Sequence, residues 1–340
     1  MTARTQRIGL MSFGHVHAES YASILRDRED VELLAADPDG AGDDRGAALA
    51  ERLGVRCVAD YDELLAWQPH GVLVCAENAR HRPLVEKAAA AGAHVLCEKP
   101  LATTTGDARA MVAACAAAGV NLMTAYPVRF HPSFRVMARQ VRAGRLGLLR
   151  TAVGINNGRA PFDERQWFGD SALAGGGAVM DHTVHLADLV GELVDAAPVD
   201  VYAQANRILH GGSGDVETGG LVFVTYDDGF VATIDCSWSE PAAAPTWGGL
   251  SLSVHGTDGS VSFDAFNEQV TVYDDRAGRV RWVDCGTDLD ALMLDEFLAA
   301  IRAGRPAQPD GAVGLRTLAL VEAAYASIAS GLPVSVSGGF

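Results

Sequence analysis

The sequence predicts an α/β protein with a doubly wound parallel sheet in its N-terminal part, followed by an α+β part with a large open, mainly antiparallel sheet. Two observations lead to this prediction. Over the first 125 residues short apolar runs alternate with segments of helical periodicity, whereas later several apolar runs follow one another without long helices between them. A chain of 340 residues has the length of about two domains, which we place at 1–125 and 126–340.

The N-terminal part contains six apolar runs with strand character, at 7–11, 31–36, 55–58, 71–76, 93–97 and 120–125. Segments with helical spacing lie between them, at 15–28, 43–53, 61–67, 80–91 and 104–118. Gly54, Gly92 and Gly119 each follow one of these segments directly, which is typical of a helix C-terminus. Continuous apolar strands that alternate with helices predict a parallel sheet covered on both faces, and six such strands match a Rossmann-type domain.

The C-terminal part begins with a predicted helix at 132–143, a strand at 148–156 and a helix at 179–190. Strands are then predicted at 199–208, 218–227, 229–239, 249–256, 259–265, 269–274 and 279–283. Leu250, Leu252 and Val254 alternate with serines, so one face of that strand is covered. Two helices, at 289–302 and 311–330, close the chain.

The composition limits the classes of partner. Lysine plus arginine (27) against aspartate plus glutamate (43) leaves a net charge of −16, which argues against nucleic-acid and anionic-membrane partners. Neither a signal-peptide core nor an apolar run of about 18 residues is visible, so we expect no export and no transmembrane helix. The six cysteines form no CxxC pair and indicate buried free thiols in a reducing compartment, hence a cytoplasmic protein.

Ligands of doubly wound sheets bind at the carboxyl ends of the strands, which directs attention to the turn after the first strand. A dinucleotide-binding turn would read G-x-G-x-x-G, and here the segment 12–17 reads SFGHVH, with only Gly14 retained. Ser12 must form the tight turn with a Cβ, which is tolerable if its φ is negative. We expect the following helix to offer free N–H groups to a phosphate. Taken alone, the segment is equally compatible with a plain strand-turn-helix.

Asp37 ends the second strand, 25 residues after Ser12. At that place a carboxylate accepts hydrogen bonds from the ribose hydroxyls of an adenosine and repels a 2′-phosphate. The residue therefore favours NAD as cofactor, with NADP less favoured. The alternative is a turn residue in an Asp-Pro pair.

Lys99 follows the fifth strand and precedes a proline, and the chain contains only one other lysine, Lys87. Lysine supplies a compact charge and a transferable proton, whereas arginine does not release its proton. The alternative interpretation of Lys99 is a surface lysine in a loop.

Four stretches of the chain are similar, in order, to motifs of the Gfo/Idh/MocA family of NAD(P)-dependent sugar and cyclitol dehydrogenases. They are 76–81 (AENARH), 98–100 (EKP), 126–130 (YPVRF) and 175–185, which contains GGG and DHTVH. The resemblance covers nearly the whole chain and implies a Rossmann domain followed by a substrate domain. The chain departs from the family pattern at Ser12 and His17, at Glu77 in place of proline, and at His182 and Thr183.

The resemblance and the strand ends together predict cofactor contacts from residues after the first, second, fourth, fifth and sixth strands. These residues are Ser12, Phe13, Gly14, His15, Val16, Asp37, Ala76, Asn78, His81, Glu98, Lys99 and Arg129. The predicted substrate contacts are Lys99, Arg129, Asn156, Trp167, Asp181, His182 and His185. Trp167 has packing between domains as its alternative role, and Trp238 is interpreted as sheet core.

The predicted catalytic set is Lys99, Asp181 and His185, acting on a secondary alcohol of a sugar, cyclitol or related polyol. Asp181 and His185 are four residues apart, so they share one helix face. His185 is the predicted general base, Asp181 orients and tunes it, and Lys99 stabilises the developing alkoxide charge or relays the proton.

Two alternatives remain open. A metal-dependent enzyme would use His15, His17, His182 and His185 with Asp181, but adjacent residues such as Asp181 and His182 diverge by about 100° on a helix. We therefore predict no metal. A non-catalytic NAD- or sugar-sensing relative is favoured by the degenerate glycine loop. Under each of these hypotheses one face of the second sheet lacks helices to cover it, which predicts self-association. The family resemblance implies that the assembly is a homodimer or homotetramer.

Overall fold

The computed structural model describes residues 5–40, 45–244, 246–276 and 278–336. Their contacts divide the chain into two compact units. Unit 1 comprises Met1–Tyr126, Phe162–Gly175 and Asp290–Leu318, and unit 2 comprises Pro127–Pro161, Gly176–Leu289 and Ala319–Phe340. Each unit is built from three separate stretches of the chain. The division into two domains at residues 125 and 126 stays a prediction.

Unit 1 contains the predicted parallel sheet. Its strands are β1 (Gln6–Met11), β2 (Val31–Ala36), β3 (Arg56–Val58), β4 (Gly71–Val74), β5 (His94–Cys97) and β6 (Leu122–Thr124). All neighbours pair in parallel, in the order β3-β2-β1-β4-β5-β6. This is the Rossmann order, so the fold class predicted for this part is confirmed.

The helices between these strands are α1 (His17–Arg26), α2 (Gly46–Arg52), α3 (Tyr61–Ala66), α4 (His81–Ala90) and α5 (Thr105–Ala118). Local chemistry sets their ends. The side chains of Asp60 and Thr104 accept the backbone N–H groups at the starts of α3 and α5, and Gly119 ends α5 with a φ of +69°. The first two residues of the helix predicted at 43–53, 43 and 44, lie outside the described residues.

The remaining helices are α6 (Pro132–Arg142), α7 (Ser171–Ala174), α8 (Ala178–Leu193), α9 (Leu289–Ala303) and α10 (Gly311–Ser330). The short α7 was not predicted. α10 meets the length and composition of a membrane span, contrary to expectation, but 56% of its most apolar window is buried within the protein. Leu318, Val321 and Ala324 on α10 are fully buried, which is typical of a core helix.

Unit 2 contains the second sheet. Its strands include β7 (Leu149–Gly158), β8 (Pro198–Asn206), β9 (Gly219–Tyr226), β10 (Val231–Ser237), β11 (Gly248–Gly256) and β12 (Ser260–Asp264). A separate hairpin follows, formed by β13 (Gln269–Asp274) and β14 (Arg279–Asp284), and β15 (Val334–Ser335) completes the sheet edge. The order is β12-β11-β7-β10-β9-β8-β15, with β7 and β10 parallel and the other neighbours antiparallel. The predicted mainly antiparallel sheet is therefore confirmed.

The two faces of this sheet differ. On β7 the residues Ala152, Gly154 and Asn156 are buried. A Cβ on Gly154 would lie 2.8 Å from the side chain of Leu186 on α8. Glycine at this position lets α8 approach the strand. Val153 and Ile155, which alternate with them on the opposite face, are exposed.

Candidate active site

The turn after β1 is formed by Ser12 in a left-handed conformation, with a φ of +74°. The negative φ at which a serine would be tolerated without strain is therefore not adopted. A side chain in this region is strained, and local hydrogen bonds offset the strain. The Ser12 hydroxyl donates to Asp37 Oδ1 (3.1 Å) and accepts from the Gly14 N–H (3.0 Å). A distant carboxylate thus stabilises the turn that the first glycine of the usual motif would make.

Gly14 is the point of closest approach between this turn and the end of β4. A Cβ built on Gly14 would lie 3.1 Å from backbone atoms of Ala76 and Glu77. His15 N–H donates to the Cys75 carbonyl (2.7 Å), which fixes the turn against β4. Val16, at the N-cap of α1, makes no side-chain cap, but the N–H groups of His17 and Ala18 donate to His15 Nδ1 (3.3 Å) and to the His15 carbonyl (3.2 Å). The expected free N–H groups at the first two positions of α1 are therefore already engaged within the protein.

Arg45, which the sequence analysis missed, lies against Asp37. Its guanidinium donates to Asp37 Oδ1 and Oδ2 (both 3.2 Å), to Glu77 Oε1 (2.7 Å) and to Ser12 Oγ (3.0 Å). Burial alone raises the pKa of Glu77, but the hydrogen bond from Arg45, a backbone hydrogen bond and the charges of Arg45 and Arg80 together lower the pKa below its usual value. The predicted ribose-binding carboxylate is therefore paired with a cation.

A cavity of about 500 Å³ lies beside this network within unit 1. It is lined by Asp39, Arg45, Glu77, Asp163, Glu164, Arg165, Gln166 and Trp167. Trp167 Nε1 donates to the Gly14 carbonyl (2.8 Å), and Arg165 Nε reaches the Phe13 carbonyl (3.4 Å). Trp167, predicted to contact substrate, is therefore placed against the cofactor turn.

A buried carboxylate, Glu98, connects this turn with Lys99. Glu98 Oε1 accepts hydrogen bonds from the Tyr21 hydroxyl (2.6 Å) and His17 Nδ1 (3.1 Å), with His15 Nδ1 at 3.7 Å. Its Oε2 accepts the backbone N–H of Lys99 (3.0 Å). Because both oxygens are engaged within the protein, the contacts indicate that Glu98 positions Lys99.

The charges of this cluster stabilise one another. Burial alone raises the pKa of Glu98, but the neighbouring charges of His15, His17 and Lys99 lower it well below its usual value. For His17 burial lowers the pKa, and the charge of Glu98 together with its hydrogen bond raises the pKa above 6.5. An ionised Glu98 beside a protonated His17 is the expected state near pH 6.

Ligand atoms of His15, His17 and Glu98 lie within 4.8 Å of one another, close enough to hold a metal ion. This set shares two histidines with the metal alternative, whereas His182, His185 and Asp181 belong to unit 2. The hydrogen bonds from Tyr21 and His17 already satisfy the carboxylate oxygen that would bind the ion. We therefore interpret the cluster as a hydrogen-bonded support for Lys99.

His81 and Asn78 follow β4 and are both buried. His81 Nδ1 lies 3.1 Å from the Pro100 carbonyl and Nε2 lies 3.1 Å from the Ala76 carbonyl, so the ring bridges the loops after β4 and β5. Burial lowers the pKa of His81. Asn78 Nδ2 donates to the Ala174 carbonyl (2.8 Å), and its Oδ1 has no hydrogen-bond partner among the described residues, as expected of an atom that binds a ligand.

In unit 2, Asp181 and His182 form a buried pair at the start of α8. His182 Nδ1 lies 2.9 Å from the Asn156 carbonyl, and its Nε2 lies 3.2 Å from Asp181 Oδ2. The expectation that these adjacent side chains diverge was wrong, because both turn towards the same side of the helix. Asp181 Oδ2 also accepts from Trp238 Nε1 (3.0 Å), so Trp238, interpreted as sheet core, also holds a predicted catalytic residue.

The guanidinium of Arg129 pairs with two carboxylates of α8. Its Nε donates to Asp188 (3.0 Å), its Nη1 to Glu192 (2.6 Å) and its Nη2 to the other oxygen of Asp188. These pairs fix the segment after β6 on α8, and a contact to cofactor or substrate would have to displace them. The observed geometry favours a positioning role for Arg129 over the predicted binding role.

Two family models match most of the chain. One is described as the oxidoreductase family with an NAD-binding Rossmann fold and matches residues 7–126; the other is the GFO/IDH/MocA C-terminal domain and matches residues 134–262. The chain belongs to the GFO/IDH/MocA family.

Individual relatives support the assignment of this chain to the GFO/IDH/MocA family. It is 30% identical to the UDP-N-acetylglucosamine 3-dehydrogenase of Acidithiobacillus ferrooxidans over 327 residues, 93% of this chain and 94% of the relative. It is 28% identical to the D-apiose dehydrogenase of Paraburkholderia graminis over an alignment 354 positions long, which covers 96% of this chain and 88% of the relative. The crystal structure of GenD2 from gentamicin A biosynthesis in complex with NAD has a TM-score of 0.88 at 26% identity, covering 99% and 98% of the two chains.

The chain is therefore an NAD-dependent dehydrogenase, and the predicted cofactor is confirmed. The turn fits NAD on two counts: the close packing of the turn at Gly14 and the carboxylate of Asp37. The comparisons do not favour the metal-dependent or the non-catalytic alternative.

The residues missed in this GFO/IDH/MocA protein are Arg45, Arg165 and Trp238. Each contacts a partner far away in the sequence, namely Glu77, Phe13 and Asp181 respectively. The only sequence signal was the placement of Arg45 just before a helix that follows the acidic turn.

We predict that His17→Gln changes how stability depends on pH. The pKa of His17 is raised in the folded protein, so its pairing with Glu98 stabilises the fold below about pH 6.5 and is lost as the pH rises through the folded-state pKa. The free energy of unfolding of the wild type should exceed that of the variant at pH 6, and the difference should shrink towards pH 9. Urea unfolding at each pH measures this.

The matched control for this measurement is His210→Gln, a change of an exposed histidine. A His17→Gln deficit that stays constant from pH 6 to pH 9 would contradict the charged pairing.

We predict that Asp37→Ser shifts cofactor preference. The variant loses the acceptor for the ribose hydroxyls and leaves Arg45 facing the 2′ position, so NAD should bind about tenfold more weakly, about 1.4 kcal/mol, and NADP more tightly. Isothermal titration calorimetry with both cofactors measures this. Asp62→Ser, at a surface acid paired with Lys87, is the control. Parallel weakening of both cofactors would refute the assignment.

Proposed function

We propose that this protein transfers a hydride between a nicotinamide cofactor and a secondary alcohol of a sugar, cyclitol or related polyol, with Lys99, Asp181 and His185 as its catalytic set. The observation that carries the proposal is the position of Lys99 directly after β5 in an NAD-binding fold, with its backbone held by the buried Glu98. The relatives named for D-apiose and UDP-N-acetylglucosamine support a carbohydrate substrate.

In the oxidation direction, the substrate loses a proton from its hydroxyl oxygen and a hydride from the carbon that bears it. Bound NAD supplies the hydride acceptor. In the proposal His185 takes the hydroxyl proton, and Lys99 donates a hydrogen bond to the same oxygen while negative charge develops on it. The oxygen and carbon then form a carbonyl, and reduction follows the same steps in reverse.

Asp181 is proposed to orient and tune His185. The two residues are one helical turn apart on α8. A hydrogen bond of 3.0 Å from Trp238 Nε1 holds the Asp181 carboxylate in place, and His182 Nε2 lies 3.2 Å from the same carboxylate oxygen. A carboxylate fixed in this way stabilises a nearby imidazolium.

We predict that Lys99→Ala and His185→Ala each lower kcat by about 10²–10⁴-fold, the usual contribution of a general acid or base. NAD affinity should remain within a few-fold, since the changes remove proton transfer and charge stabilisation. Steady-state kinetics on a polyol panel, with calorimetry for NAD, measures both quantities. Lys87→Ala is the control, because Lys87 is the other lysine and pairs with Asp62 on the surface. Near-normal turnover in both active-site variants would remove them from the mechanism.

The proposal includes self-association through the open face of the second sheet. Val153 and Phe223 flank Thr233 in one cross-strand row, and Ile155 and Leu221 flank Asp235 in the next. The four apolar side chains are exposed and form a contiguous patch that a second copy of the chain would cover. We also propose a cytoplasmic location, in line with the free cysteines, of which Cys75, Cys97, Cys115 and Cys236 are buried.

We predict that Phe223→Glu converts the oligomer into a smaller species, because replacing one of the four apolar side chains by a charge opposes burial of this face. Light scattering coupled to size-exclusion chromatography at micromolar concentration measures the mass. Val136→Glu, at an exposed valine on α6, is the control. A wild type that is monomeric would refute this part of the proposal.

A further inference from the structure

Trp247 is a half-exposed tryptophan that lies against the buried pair at the start of α8. Its side chain is 40% exposed, and its ring centre lies 6.0 Å from that of His182 with the planes at 74°. Exposed tryptophans that pack edge-on against a buried polar group form a wall with one apolar face left open. Trp247 has no part in the proposed hydride transfer or in the predicted cofactor contacts.

The backbone holds Trp247 in this position. The Arg159 N–H donates to the Trp247 carbonyl (3.0 Å), and Arg159 Nη2 donates to the Ala244 carbonyl (2.5 Å). The Glu240 N–H donates to the Gly158 carbonyl (2.9 Å). The loop after β10 is thus tied to the end of β7 at several points, so the position of the indole is defined by the fold.

Gly158 leaves the space that the indole occupies. A Cβ on Gly158 would lie 2.9 Å from Trp247 Cη2 and 3.1 Å from His182 Cε1. Any other residue at this position would push the indole or the imidazole away. The absence of a side chain there brings the aromatic wall next to the polar pair.

Asn156 supplies a polar atom on the same face of β7. It lies two residues before Gly158, is only 4% exposed, and donates through Nδ2 to the Gly249 carbonyl (3.1 Å). Its Oδ1 has no hydrogen-bond partner among the described residues. A buried amide oxygen without a donor is unfavourable, and a ligand hydroxyl would satisfy it.

We infer that Trp247 forms the aromatic wall of a substrate subsite in which the C–H face of a pyranose or cyclitol ring packs on the indole while a ring hydroxyl donates to Asn156 Oδ1. The ring's apolar face and hydroxyl rim match an aromatic surface beside a buried acceptor. This inference rests on the proposed function, since it names the ring-binding element of the same substrate class.

The test compares Trp247→Ala and Trp247→Phe with the wild type. A panel of aldoses and inositols first identifies a ligand of the wild type, by calorimetry on the NADH-saturated protein and by turnover with NAD. Kd, KM and kcat for that ligand are then measured in each variant, together with the Kd for NAD. Trp282→Ala, at a similarly exposed tryptophan on the separate hairpin strand β14, is the matched control.

We expect Trp247→Ala to raise the Kd and KM for the ring ligand about tenfold or more, with kcat within threefold and NAD affinity unchanged. Trp247→Phe should restore most of the affinity, because it keeps an aromatic face. Trp282→Ala should leave all values within twofold. This pattern supports a ring-binding wall and is not produced by general destabilisation, which would also affect NAD binding.

Ligand affinity within twofold of wild type in Trp247→Ala would overturn the inference, as would an equal loss in Trp282→Ala or a wild type that binds no ring ligand. Failure of the proposed function has a different signature. A ring ligand that binds in a Trp247-dependent way without being oxidised by NAD would support the subsite and refute the proposed hydride transfer.

Discussion

The buried carboxylate of Glu98 is the interaction on which the rest of the cofactor site depends. A charge removed from water is stable only if several donors surround it, and Glu98 obtains them from Tyr21 and His17 on α1 and from the backbone of Lys99 after β5. Two segments that are distant in the sequence, α1 and the segment after β5, are thereby held in one arrangement. The turn that receives the dinucleotide and the lysine proposed to act on the substrate therefore share one support.

The acidic character of the chain, with its net charge of −16, extends to the cavity in unit 1. Two arginines, Arg45 and Arg165, line this cavity together with four carboxylates, those of Asp39, Glu77, Asp163 and Glu164. Both guanidinium groups are paired with carboxylates, Arg45 with Asp37 and Glu77 and Arg165 with Glu19. An anionic cofactor would therefore meet cations that are already oriented and whose positions are set by their acidic partners.

The second sheet has two chemically different faces, because successive side chains along its strands point to opposite sides. One face of β7 meets α8 through glycines and Asn156, and there it contributes to the polar group formed by Asp181, His182 and Trp238. The other face presents the exposed apolar rows that we propose to join copies of the chain. Because successive side chains of a strand point to opposite faces, the proposed substrate chemistry and the proposed association surface lie on opposite sides of the same strand.

The sequence by itself determined the elements and their class, because apolar periodicity and terminal glycines are local signals: β2 and α10 lie where they were predicted. It also placed Lys99 and Asp37 at strand ends, where a parallel sheet binds its ligands. Only the tertiary structure decided the positive φ of Ser12, the pairing of Arg45 with Asp37 and the support of Asp181 by Trp238. Each of these depends on a side-chain hydrogen bond that forms only when separate elements of the fold come together, and apolar periodicity does not encode such a bond.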